Sequence, residues 1–179
     1  MIHRSDVGSR KRAAILCVLL VGAGCGYQPY GTGAGHVGPP PEIQTLHLAP
    51  LRNGTFTPGI DGAVSAAILR RIQQDGRIRL VSQEAAAAVL GGTITAYENL
   101  PIAFDEFDIG KRFRVRIKLG LTLTQRGGEK PLVKEEIFGE AYYTAGVEIL
   151  GTRTAEEEAT QRAAQDLAGR VVTRLLEGL

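Results

Sequence analysis

Phe113-Arg114-Val115-Arg116-Ile117-Lys118-Leu119-Gly120-Leu121-Thr122-Leu123-Thr124-Gln125 is the stretch that decides the fold. Its side chains alternate without a break. Phe113, Val115, Ile117, Leu119, Leu121 and Leu123 fall on one face, while Arg112, Arg114, Arg116, Lys118, Thr122 and Thr124 fall on the other. A period of two belongs to a strand, because successive Cβ atoms point to opposite sides of the pleat. One apolar face and one charged face describe a sheet buried on a single side, as antiparallel sheets commonly are.

Working outward, Arg126-Gly127-Gly128-Glu129 makes a hairpin turn. Val133 to Thr144 returns, carrying Lys134, Glu136, Phe138, Glu140 and Tyr142 beside the basic row. Before the central strand, Val89 to Tyr97 reads as another, with Leu90, Ile94 and Ala96 on one side and Thr93, Thr95 and Tyr97 on the other. Asn99 to Gly110 reads as a long connection that mixes Asp105, Glu106 and Asp108 with Ile102, Phe104, Phe107 and Ile109. Apolar residues in a loop dock on a partner or cap their own core. Ile43 to Leu51 reads as a strand closed by Pro50, Asn53-Gly54 as a turn, Arg77 to Val81 as a short strand and Ser82 to Ala88 as a helical turn.

Two stretches carry helical spacing. Pro58 opens a helix from about Gly59 to Gln74, stopped at Gly76. Ile60, Val64, Ala67, Ile68 and Ile72 share one face, and Arg70, Arg71, Gln73 and Gln74 face away. The second starts at Thr154, whose side chain and Glu157 form a capping box, and runs to about Leu176. Ala155, Ala159, Ala163, Leu167, Val171 and Leu175 make its stripe, with Ala164, Ala168, Val172 and Leu176 beside it. Its small alanines permit close packing on a sheet. The expected architecture is α+β: a two-layer sandwich, with a mostly antiparallel sheet of four to five strands and two helices on its one apolar face.

The N-terminal part is of another kind. Arg4, Arg10, Lys11 and Arg12 precede an apolar run from Ala13 to Val21, and Val21-Gly22-Ala23-Gly24 leads directly to Cys25. A basic start, a short apolar run and small residues before a cleavage point describe a secretory signal. The run is too short to span a bilayer, which takes about 20 apolar residues. Ending on a cysteine, the pattern predicts removal of residues 1–24 and lipidation of Cys25. Gly22 stands where lipoboxes usually carry Leu, so an ordinary signal cut without lipidation remains the other reading. Residues 25–41 are rich in glycine and end in three prolines, the composition of a tether, and residues 42–179 form a single domain.

Charge follows from that division. The first 24 residues hold four of the 21 Lys and Arg and one of the 19 Asp and Glu, which leaves 17 basic and 18 acidic residues and a net charge of −1. No nucleic-acid partner is expected of such a chain. Cys17 leaves with the signal and Cys25 carries lipid, so no thiol pair remains for a disulfide or a metal. There is no serine elbow, phosphate loop or carboxylate–histidine cluster. The sequence therefore predicts neither an enzyme nor a cofactor beyond the covalent lipid. One constellation stands out. Arg112, Arg114, Arg116 and Lys118 lie on one strand face, about 6–7 Å apart. Such a row can grip phosphates, because guanidinium groups bind them bidentately. From the residues alone the preferred reading is a solvated face balanced by Glu136 and Glu140 on the neighbouring strand.

These features come in a telling order. Cys25-Gly26-Tyr27 is followed by a glycine-containing tether, then by Ile43-x-x-Leu46-x-Leu48-x-Pro50-x-x-Asn53-x-Thr55, Pro58-Gly59-Ile60 and Ala88-Val89-Leu90-x-Gly92-x-Ile94-x-x-Tyr97. A long alternating hairpin and an alanine-rich final helix close the chain. In this order the chain resembles the lipopolysaccharide-assembly lipoproteins of the LptE family. One departure is Ala88, or a neighbouring alanine, where the family often carries Asp. The resemblance implies an outer-membrane lipoprotein on the periplasmic side. It implies two partners: the β-barrel translocon LptD, which such proteins plug and help to assemble, and lipopolysaccharide, whose passage to the cell surface they assist. It implies a sheet with two helices packed against it, and it gives the basic row lipopolysaccharide phosphate or the barrel wall as contacts. A lipid-binding chaperone, or a subunit of another envelope machine, is the alternative.

Overall fold

The computed structural model describes residues 43–107, 109–146 and 149–177. The signal, the tether and Cys25 lie outside them. The alternating stretch is the middle of strand β5, Gly110–Gln125. It pairs antiparallel with β4, Ala88–Phe104, on one side and with β6, Pro131–Thr144, on the other. Gly127, with φ of 73°, shapes the β5–β6 turn. Three short strands complete the sheet: β1, Thr45–Leu48; β2, Arg52–Asn53; and β3, Arg79–Leu80. They join in parallel, β1 to both β3 and β4, and β2 to β4. The order across the sheet is β3-β1-β4-β5-β6, with β2 continuing the lane of β1.

The stretch read as one strand from Ile43 to Leu51 is thus split. β1 ends at Leu48, and the Ala49 and Gly54 amides donate to the Leu90 and Ile94 carbonyls, which holds the chain beside β4 across Pro50. This adds a sixth strand to the four or five expected.

Helix α1, Ile60–Asp75, fills the crossover between β2 and β3. It ends as expected on Gly76, which turns left-handed (φ 75°) and donates its N–H to Ile72 O. Helix α2, Ile149–Leu176, begins earlier than the capping box implied. Thr154 lies inside it and its hydroxyl donates back to Leu150 O, the alternative bond open to a helical threonine. Val64, Ile68 and Ile72 of α1 and Ala163, Leu167 and Val171 of α2 meet Val115, Ile117, Leu119 and Leu121 of β5 in one core. Ile117 is fully buried there.

The alanines and a glycine bring α2 close to β6. A Cβ on Gly139 would collide with the backbone of Ala163 and Leu167. α2 also covers the outer edge of β6. The Glu140 amide donates to Asp166 Oδ2 (3.0 Å), and the Tyr142 carbonyl accepts from Arg162 Nη2 (3.1 Å). An uncovered edge is a template for further pairing, so these bonds close one flank of the sheet.

β4 departs from the sequence reading in two ways. A register shift between Ile94 and Ala96 puts Ala96 opposite Lys118 and Tyr97 opposite Ile117. An extra residue in one strand reverses every later side chain. Tyr97 therefore joins the core and Ala96 the polar face, the reverse of the expectation. β4 also does not stop there. The supposed connection from Asn99 continues as strand to Phe104, with Leu100 opposite Arg114 and Ala103 opposite Arg112.

Candidate functional site

The face of the sheet away from the helices carries the predicted basic row, and its two halves differ. In the half nearer the core, both cations are neutralised. Arg116 donates through Nε and Nη2 to Glu140 Oε2 at 3.0 and 2.7 Å. Lys118 Nζ lies 2.8 Å from Glu98 Oε1, across the β4–β5 pair. Glu136, expected to balance the row, instead accepts from the Thr95 hydroxyl at 3.1 Å. Hydrogen bonds from Arg116, then from Tyr142, hold the Glu140 carboxyl below its ordinary pKa. The bond from Lys118 does the same for Glu98. The Arg116 guanidinium also sits 4.8 Å from the centre of the Phe138 ring, as does Arg170 of α2.

In the far half neither cation forms an ion pair among the described residues, though Arg114 is near enough to Glu98 and Glu140 to favour their ionised forms. Among the described residues, Arg112 has no ion pair; its guanidinium lies over the Tyr142 ring at 5.4 Å. Arg114 stands in register between Leu100 and Tyr142. Its Nε is shielded from solvent yet has no acceptor among the described residues. Leaving a buried donor unpaired is unfavourable.

Beside these cations the hairpin is apolar. Leu100, Ile102, Phe104, Phe107 and Ile109 are all exposed, Phe107 to 75%. They do not cap the protein's own core. The tip is ordered by Asp105, whose Oδ1 accepts from the Phe107 and Ile109 amides at 2.9 and 3.0 Å. Those bonds lower its pKa. The first turn of α2 adds exposed Ile149 and Leu150. The Ala145 amide on Lys111 O and the Thr152 hydroxyl on Gly146 O tie that turn to the same end of the molecule.

Sequence reasoning found the four cations but missed Glu98, Leu100 and the Arg170 contact. Glu98 and Leu100 continue an alternation that the shift at Thr95 had disguised. The Arg170 contact depends on how α2 folds over the sheet edge. Lipidation at Cys25 falls outside the described residues. No group of three or more His, Cys, Asp or Glu side chains suited to a metal occurs among the described residues.

No curated protein matches the sequence at a significant level. Solved structures share the fold. The minor lipoprotein of Acinetobacter baumannii is 14% identical, with a TM-score of 0.51, over 75% of this chain and 91% of its own. The rare lipoprotein B of Shewanella oneidensis is 12% identical, with a TM-score of 0.51, over 72% and 92%. Lipoprotein B of Nitrosomonas europaea is 14% identical, with a TM-score of 0.53, over 84% and 89%. The family model for LptE, lipopolysaccharide-assembly, matches residues 43–175, so the chain belongs to the LptE family of envelope lipoproteins and takes its place in lipopolysaccharide assembly.

Proposed function

We propose that the protein is a non-catalytic plug and assembly partner of the LptD β-barrel, held to the outer membrane by lipid on Cys25, and that it binds lipopolysaccharide on the far half of its polar sheet face. No cofactor is required beyond that lipid. The observation that carries the lipid reading is the juxtaposition of free cations with exposed apolar side chains. Lipopolysaccharide presents phosphates beside acyl chains. Arg112 and Arg114 supply guanidinium groups that form no ion pair among the described residues, and Leu100, Ile102 and Phe104 supply apolar surface alongside. Arg116 and Lys118 contribute less, because Glu140 and Glu98 already hold them. A carrier acting alone would shelter acyl chains between its layers. Here α2 presses its backbone on Gly139, which favours a surface site over an internal one.

The test is a pair of double variants of the full chain. Arg112→Ser/Arg114→Ser should melt at a near-native temperature, because surface substitutions move stability by only about 0.5 kcal/mol. It should lose salt-sensitive binding of purified lipopolysaccharide or co-purification of the barrel. Arg116→Ser/Lys118→Ser should lose less. A folded first variant that keeps both activities returns the row to a solvated face. For the anchor, Cys25→Ala should leave an unprocessed or mislocalised precursor. Normal processing and outer-membrane fractionation of that variant would remove the lipidation step.

A further inference from the structure

A second surface lies on the opposite side of the molecule. The two helices run side by side in the same direction. Ile60 and Ala63 near the start of α1 line a groove with Arg153 and Glu157 near the start of α2, and further along Arg71 lies beside Gly169 and Arg174. Midway, the seam opens into a groove of about 340 Å³. Ala67, Arg70, Arg71 and Gln74 of α1 line it, with Gln165 and Gly169 of α2.

The lining contains no acid. Every charged or amide group in it can donate, and the two guanidinium groups donate only. Arg70 and Arg71 make no hydrogen bond or ion pair with the described residues. The next arginines along the seam differ, since Arg170 is paired with Asp166 and Arg174 with Glu135. Cations without an ion pair are therefore gathered on the α1 side of the groove; Asp75, one turn on from Arg71, and Glu135 and Asp166 further along the seam lie outside its lining. Gly169 deepens it. Glycine inside a helix is destabilising relative to alanine. A Cβ at this position would meet nothing within 4 Å, so packing among the described residues does not demand the glycine. What it leaves is room.

The surroundings identify the occupant. None of the exposed large apolar side chains lies on α1, or on α2 beyond its first turn. A lipid would find charge here without a seat for its acyl chains, the reverse of the hairpin end. Carboxylates match paired guanidinium groups in shape as well as charge, and the two glutamines can bond a peptide backbone. We propose that the groove between α1 and α2 docks an acidic, extended segment of a partner protein, independently of the lipid-binding face.

The test uses the full lipidated chain in detergent and a fluorescein-labelled polyglutamate peptide as probe, read by fluorescence anisotropy at low and physiological salt. Arg70→Glu/Arg71→Glu should weaken peptide binding by roughly tenfold or more, equivalent to about 1.4 kcal/mol. Gly169→Phe should do likewise without altering charge, because it fills the groove. Arg112→Ser/Arg114→Ser should bind peptide normally. The two groove variants should keep lipopolysaccharide binding, so failure here is separable from failure of the lipid reading. Unchanged peptide affinity in either groove variant overturns the proposal. So does equal loss in the Arg112/Arg114 variant, which would mean unspecific attraction to basic surface. A groove variant that changes only the sedimentation of the chain itself would make the seam a self-association surface, and also overturns it.

Discussion

The two halves of the long β4–β5 hairpin share one alternation and differ in what lies beneath it. In the half backed by the helices, Ile117 and Leu119 are fully buried and the cations above them are tied to Glu140 and Glu98. In the far half the core thins to a stack of Phe113 on Tyr143, with ring centres 5.1 Å apart, and a hydrogen bond between Asn99 and Tyr143. Beyond it, strand continues with apolar side chains in the open, and beside the stack Arg114 Nε has no acceptor among the described residues. The lesson is that stability is concentrated where the alternation has a second layer to bury against. Binding capacity is left where it has none.

Breaking the backed half should have the largest effect. Gly139→Ala would drive a methyl into the α2 backbone, which cannot move aside as a side chain can. A loss of more than about 4 kcal/mol, seen as a urea midpoint near zero or failure to fold, is expected. A midpoint within error of the native protein would mean that α2 does not press on β6 as described. Next comes a matched pair. Ile117→Ala should cost about 2–5 kcal/mol by leaving a cavity. Phe107→Ala, a larger deletion at the tip, should stay within about 0.5 kcal/mol while weakening lipopolysaccharide binding. Equal destabilisation by the two would erase the distinction between the halves.

The smallest effect sharpens the far half alone. The Phe107 and Ile109 amides stabilise the ionised form of Asp105, so its folded pKa is depressed. The contribution to tip order is present above the unfolded value of about 3.9 and is lost as pH falls through the lower folded value. In an NMR titration the two amide signals should move together, with an apparent pKa below that of a free aspartate. A midpoint at or above the free value would show that the tip is not held by these bonds.

Much of this was legible in the residues, and the gaps have causes. The alternation from Phe113 to Gln125 is long enough that only a strand satisfies it, and it fixed the helices to one face. The shift at Thr95 was invisible, because one added residue leaves composition untouched while exchanging the faces of Ala96 and Tyr97. The far end of β4 was hidden by Pro101 and by apolar residues exposed where a strand normally alternates. Thr154 and Glu157 copy a helix start, yet Ile149 to Arg153 extend the helix outward on mostly exposed residues that no core pattern marks. At the candidate site the cations were readable from spacing. Their division was not, since Lys118 finds Glu98 only after the register has moved. Arg70 and Arg71 were readable as solvent-facing, but the groove they line arises from packing between two helices distant in sequence.

The closed flank of β6 has a consequence for how recognition can evolve. With Asp166 on the Glu140 amide and Arg162 on the Tyr142 carbonyl, the middle of that strand is closed to a neighbour seeking main-chain pairing. Where β4 runs on past β2, Pro101 lacks an amide and the register against β5 slips repeatedly. Main-chain pairing accepts almost any sequence, so a protein that relied on it would attract strays. Here selectivity rests with side chains. A few point substitutions can retune what is bound without disturbing the sheet that displays them.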